Sequence, residues 1–294
     1  MHGRFAAFSF VDRIDAHAPG APIRGRYTIP AGVDAFPSSL AAEAVGQLAA
    51  WVAMRRLDFR VRPVAGLAGE TRYGPAFGPG DTLELEVDLE SATDSDVAYH
   101  GRASVRGEPV MVLERALGPM LPADEFDDPA ALAHDFDTLA GPGAAAGRFT
   151  GLPAHVMHVD AATFEPGRRV AARLDVPADA PYFADHFPRK PVYPATLLMD
   201  ALGRLAVQLA GPNARVGDPP EARVASLPPG GNARLGRPGA RVIAMLDVKV
   251  RAFMPPGSSL ALSASFESAD ATEGRVVAKL DGKPAATARV QVAR

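Results

Sequence analysis

The sequence predicts an α+β protein made of two copies of one unit, each a long central helix wrapped by a curved antiparallel sheet. Three observations predict it. Local matches recur in the same order in both halves of the chain, each half contains a helix that is apolar almost all round, and long alternating strands follow each helix. The 294 residues suffice for two such units, each large enough for its own core. The expected boundaries are 1–122 for the first unit, 123–150 for a linker and 151–294 for the second.

Short strands open each half, and the first match follows them. Pro37-Ser-Ser-Leu-Ala-Ala-Glu43-Ala-Val-Gly-Gln-Leu48 parallels Pro194-Ala-Thr-Leu-Leu-Met-Asp200-Ala-Leu-Gly-Arg-Leu205, with the acid six residues after the proline in both. Apolar residues agree at Leu40/Leu197, Val45/Leu202, Leu48/Leu205 and Val52/Leu209, which is helical spacing. Ser38, Ser39 and Thr196 supply N-cap chemistry behind the prolines. A helix apolar on every side belongs inside a protein, and Ala41, Ala42, Ala44, Ala49 and Ala50 let a sheet come close to it. The second match pairs Pro79-Gly80-Asp-Thr-Leu83 with Pro256-Gly257-Ser-Ser-Leu260, each leading into a strand of period two. The third pairs Val105-Arg-Gly107-Glu-Pro109 with Leu280-Asp-Gly282-Lys-Pro284, a hairpin turn before the last strand of each half. Between the halves, residues 123–147 are rich in Asp, Ala, Gly and Pro and read as a linker with a short helix near Pro129–Leu139. Two sheets joined edge to edge would also protect strands that otherwise invite aggregation.

Composition narrows the function. There is no cysteine, so disulfides, thiolate nucleophiles and Cys-ligated zinc are excluded. A net charge of −3 gives no bulk electrostatic case for nucleic acid or an anionic membrane. No apolar run approaches the roughly 18 residues of a membrane span, and the first residues lack the apolar core of a signal peptide. A cytoplasmic location is the expectation.

The segment Tyr182-Phe-Ala-Asp-His186-Phe-Pro-Arg-Lys-Pro191-Val-Tyr-Pro194-Ala-Thr-Leu-Leu-Met-Asp200 carries the chemistry. It resembles the signature of the β-hydroxyacyl-acyl-carrier-protein dehydratases: His-Phe-Pro, a second proline, Pro-Gly, and a helix bearing Glu or Asp 14 residues after the histidine, the separation of His186 and Asp200. Two positions depart from that pattern. Ala195 stands where the family usually has glycine, and Asp200 follows the branch that uses Asp. The resemblance implies the hotdog fold, here a double hotdog forming a pseudo-dimer in one chain. It also implies dehydration of 3-hydroxyacyl thioesters carried on acyl carrier protein or coenzyme A, with no metal and no redox cofactor. Such a reaction needs a base for the C2 proton, a role that suits a neutral histidine. It needs an acid for the leaving C3 hydroxyl, and burial in an apolar helix raises a carboxyl pKa toward that use. Developing charge on the thioester oxygen calls for backbone N–H groups such as those at a helix start. Pro194, Ala195, Thr196 and Phe187 are therefore the candidate substrate-binding residues.

The halves differ where it matters most. From Pro177 to Pro194 there are 17 residues, and from the matching Pro30 to Pro37 only seven; the missing loop is the one that carries His186. In the dimeric family the histidine works with the acid of the other subunit. The resemblance thus implies one working site, His186 with Glu43, and one vestigial site at Asp200. Gln47 lies one helical turn from Glu43, and the corresponding Arg204 is placed to pair with Asp200 and hold it ionised.

Other residues draw plainer expectations. His155 and His158 are expected as alternate strand residues, and His2, His17, His100 and His134 as surface residues. Trp51, Phe59, Phe77 and Phe253 are expected in core or tunnel wall. Arg55, Arg56, Arg60 and Arg62 form a basic run, either a solvated face or a docking patch for an acidic carrier or coenzyme A phosphates. Gly230-Gly231 lacks the strand–helix context of a phosphate loop. Two competing functions remain: a hotdog acyl thioesterase, which needs no histidine base, and a non-catalytic acyl-carrier-binding partner of a fatty acid or polyketide synthase. Association of pseudo-dimers into a homo-oligomer is left open.

Overall fold

A computed structural model describes residues 5, 7–144, 149–153, 157–210 and 240–293. His2, His155 and Gly230-Gly231 lie outside the described residues. In the first half, strands β1 (Arg13–Ala16) and β2 (Ile23–Thr28) precede helix α1 (Ser39–Arg56). Strands β3 (Val61–Pro63), β4 (Leu67–Tyr73), β5 (Thr82–Ala92), β6 (Asp96–Val105) and β7 (Glu108–Pro122) follow it. A 3-10 turn at Ala123–Glu125 and helix α2 (Pro129–Ala140) lead on. The second half runs β8 (Met157–Glu165), β9 (Arg169–Asp175), a 3-10 turn at Pro181–Ala184, α3 (Ala195–Ala210), β10 (Arg241–Val250), β11 (Ser259–Phe266), β12 (Glu273–Leu280) and β13 (Lys283–Ala293).

The strands form one large sheet in the order β1-β2-β5-β6-β7-β4-β10-β13-β12-β11-β9-β8, with β3 pairing on β7. Read inward from each end, the two halves of that order match strand for strand: β1 with β8, β2 with β9, β5 with β11, β6 with β12, β7 with β13, and β4 with β10. The antiparallel pair β4–β10, in register at Met245–Thr71 and Leu246–Glu70, joins the halves at the centre. A large antiparallel sheet with few helices fits a hotdog fold.

Local chemistry explains the repeats. Arg106 and Gly107 have φ of 54° and 81°, and Asp281 and Gly282 have 50° and 77°. Two consecutive residues at positive φ make the two-residue hairpin turn whose twist suits the flanking strands. In α1, Leu40, Val45, Leu48 and Val52 are buried among β5, β6 and α3, each contributing about 1.5–3 kcal/mol by leaving water. α3 is buried through Leu197, Leu202, Leu205 and Leu209, the residues that match them in the repeat.

The expected cap on α1 is corrected. Ser38 has φ −58° and ψ −29°, already helical, and its side chain makes no capping bond; the extended backbone that turns a cap hydroxyl back onto the helix is absent. A side-chain cap forms on α2, where Asp128 accepts from the Ala130 N–H at 3.1 Å and Pro129 takes the first helical position. Among the described residues no helix is long and apolar enough to cross a membrane.

Candidate active site

The loop before α3 is closed on itself around His186. The His186 N–H donates to the Tyr182 carbonyl (2.9 Å), and Val192 N–H donates to the His186 carbonyl (3.2 Å). The imidazole Nδ1 lies 3.1 Å from the Val192 carbonyl oxygen. A carbonyl only accepts, so Nδ1 carries the proton and Nε2 is left with its lone pair. The ring stacks on Phe187 at 4.2 Å between centroids and meets the Phe8 ring edge-on at 5.4 Å. Burial pushes the His186 pKa below the ordinary imidazole value; the Glu43 charge and the Val192 carbonyl pull it back, and Arg62 adds to the depression.

Glu43 projects from α1 of the other half. Both carboxylate oxygens are held: Gln47 Nε2 donates to Oε1 at 3.0 Å, and the Thr196 hydroxyl donates to Oε2 at 2.7 Å. Gln47 is itself fixed, its amide nitrogen donating to the Phe8 carbonyl (2.9 Å) and its oxygen accepting from Phe10 N–H (2.8 Å). The same N-terminal segment grips the histidine loop. Asp185 Oδ2 accepts from the N–H groups of Ala7 and Phe8, both at 2.8 Å, and from the Ser9 hydroxyl at 3.3 Å. Residues 7–10 therefore tie the base loop of one half to the acid helix of the other.

Between the two groups lies a cavity of about 260 Å³. Glu43, His186, Phe187, Ala195 and Thr196 all line it, together with apolar wall residues such as Trp51 and Met54. Tyr99 adds a neutral phenol, its pKa raised by burial and by the Glu43 charge. Pro194, expected among the substrate-binding residues, is not one of those lining the cavity. Its carbonyl accepts from Leu197 and Leu198 N–H (3.1 and 3.2 Å), so the N–H groups of Ala195 and Thr196 precede the helical ladder.

Asp200 lies elsewhere, outside the residues lining that cavity. It pairs with Arg204 at 2.5 Å. The expected pair is thus present; burial raises the Asp200 pKa, and the charge and hydrogen bond of Arg204 pull it back in part. Its charge reaches Tyr73 and Tyr193, whose phenols are themselves pushed up by burial. Neither is a base near neutral pH.

The basic run divides. Arg55 and Arg60 are exposed and paired with Asp58 (4.0 Å) and Asp94 (3.0 Å), and Arg56 is exposed. Arg62 is half-buried in the cavity wall, its guanidinium 3.9 Å above the Phe187 ring. Trp51 lines the cavity and Phe59 is buried in the core. Phe77 packs against the core, and Phe253 against Phe126 and Phe187. His158 is exposed on β8, 3.5 Å from Asp175, and His100 sits on the surface between Asp88 and Glu90 at 3.2 and 3.1 Å. Sequence reasoning missed Phe8, Asp185 and Arg62 as parts of the site. The only signals were the alternation Phe8-Ser-Phe10 and the adjacency of Asp185 to His186.

Residues 154–223, which include His186 and Asp200, match the FabA-like domain family. The chain is 30% identical over 128 residues to the 3-hydroxyacyl-[acyl-carrier-protein] dehydratase FabZ of Burkholderia mallei, covering 43% of this chain and 72% of that protein. The same figures hold for FabZ of Burkholderia pseudomallei. Among solved structures, a putative oleoyl thioesterase from Lactobacillus plantarum superposes with a TM-score of 0.49 at 10% identity, covering 94% of this chain and 97% of that one. The dehydratase heterocomplex ApeI:P from Xenorhabdus doucetiae gives 0.34 at 18% identity, covering 48% and 98%.

Proposed function

This chain belongs to the family of FabZ 3-hydroxyacyl-[acyl-carrier-protein] dehydratases, and from that premise we propose that it removes water from 3-hydroxyacyl thioesters at one working site, with His186 as base and Glu43 as acid. His186 Nε2 takes a proton from C2, and the electron pair left behind forms the C2–C3 double bond. Glu43 gives a proton to the C3 hydroxyl, which leaves as water, and the 2-enoyl thioester is released. The proton on His186 and the negative charge on Glu43 then cancel by exchange with solvent. The Ala195 and Thr196 N–H groups, with Pro194 fixing the helix start, receive the thioester oxygen as charge develops on it. Phe187 walls the acyl chain. The thioester is borne by an acyl carrier protein or coenzyme A.

One observation carries this reading: an imidazole with a free Nε2 and a carboxyl group from the opposite half of the chain line the same cavity, close enough for the carboxylate charge to act on the ring. We read the halves, 1–122 and 151–294 with 123–150 between them, as two hotdog units forming a pseudo-dimer. The mirrored strand order supports this. On this reading the Asp200 side is vestigial, because it has the acid without a base.

The test follows 2-enoyl formation and free-thiol release in parallel from a 3-hydroxyacyl thioester. Dehydration without hydrolysis, reduced about 10²–10⁴-fold by His186→Ala, is the expected result. Thiol release that survives His186→Ala would make the protein a thioesterase instead.

A further inference from the structure

We propose that Thr196 is a positioning residue that aims Glu43, an inference that rests on the dehydratase reading above and adds a residue to it. A glutamate on an exposed turn of helix samples several rotamers, and a general acid is useful only in one of them. Gln47, on the same helix, secures Oε1. Oε2 is secured from the other half of the molecule by the Thr196 hydroxyl at 2.7 Å, the shorter of the two bonds. A hydroxyl can donate one bond and accept two. A carboxyl oxygen has more than one acceptor site, so Thr196 can keep donating to Oε2 whether or not the carboxyl carries the proton meant for substrate, and the carboxyl keeps one orientation in both protonation states. A valine of the same shape could not.

The internal repeat supplies a control. Ser39 occupies in the first half the position Thr196 holds in the second, two residues after the proline. Its side chain is buried (5% exposed), yet its hydroxyl has no hydrogen-bond partner among the described residues. The acid it would serve by symmetry, Asp200, is held by Arg204. A hydroxyl in this position thus does not reach the opposite acid by default. It does so on the side that also has the histidine.

The experiment is steady-state dehydration of a 3-hydroxyacyl thioester by wild type, Thr196→Val, Thr196→Ser and Ser39→Ala, each checked for an unchanged thermal transition. Thr196→Val is expected to lower kcat about tenfold or more, the range for losing a hydrogen bond to a charged group, with KM little changed. Thr196→Ser is expected to restore most of kcat, and Ser39→Ala to leave it near wild type. Folded Thr196→Val with wild-type kcat, or an equal loss in Thr196→Ser, overturns the inference while leaving the dehydratase reading intact. A wild type that forms no enoyl product overturns both.

Discussion

In the proposed reaction His186 serves as base because of what holds its other nitrogen. The Val192 carbonyl fixes the proton on Nδ1, and burial and Arg62 keep the ring neutral to lower pH than a free imidazole. The sign is direct: the reaction needs the neutral form, which disappears as pH falls through the histidine pKa. The acid limb of kcat/KM is accordingly predicted to have its midpoint below 6.5, the ordinary imidazole value, and a pH–rate profile measures it. Replacing Arg62 by Met should move that limb upward, and an unmoved limb would contradict the assigned electrostatics. That His186 and Glu43 line one cavity was legible in the sequence, because the motif spacing and the repeat singled them out. Arg62 was not, since a charged residue at the end of a basic run looks solvated until the Phe187 ring is seen beneath it.

Elements position these residues through close contact of helix and sheet. Gly101 on β6 is one such contact: a Cβ there would come within 2.6 Å of the Glu86 carbonyl and 2.8 Å of Val45 on α1. Gly101→Ala is predicted to cost about 1–3 kcal/mol, the usual penalty of overpacking, in denaturant unfolding. Gly32→Ala, where nothing lies within 4 Å, should be near neutral; equal effects at both sites would mean that the approach of α1 does not set the stability. The helices and the long strands could be read from periodicity and from the paired Pro-Gly and Arg-Gly/Asp-Gly turns. The capping of α1 could not, because serine after proline suggests a cap in sequence while the backbone at Ser38 is already helical. The N-terminal segment was also unreadable. Apart from the Ser9 hydroxyl, residues 7–10 act through backbone groups bonded to Asp185 and Gln47, and backbone groups leave no mark in a residue pattern.

At the scale of the molecule, the strand order is mirrored about the central β4–β10 pair, and the proposed function reads the two halves as a duplication with one complete site. The two acids sit at matching positions on α1 and α3, but their surroundings differ. Glu43 is held by Gln47 and Thr196 and faces His186 across the joint, whereas Asp200 is paired with Arg204 and shares its neighbourhood with tyrosines. On the proposed reading the shorter Pro30–Pro37 segment accounts for this, since the longer Pro177–Pro194 segment carries the histidine assigned to the acid of the opposite half. The proposed site thus depends on a cross-joint pairing, which turnover of a 3-hydroxyacyl thioester by Glu43→Gln and Asp200→Asn probes. Glu43→Gln is expected to lose about 10²-fold or more, and Asp200→Asn to turn over near the wild-type rate. Severe loss in a folded Asp200→Asn protein, with Glu43→Gln still active, would contradict it.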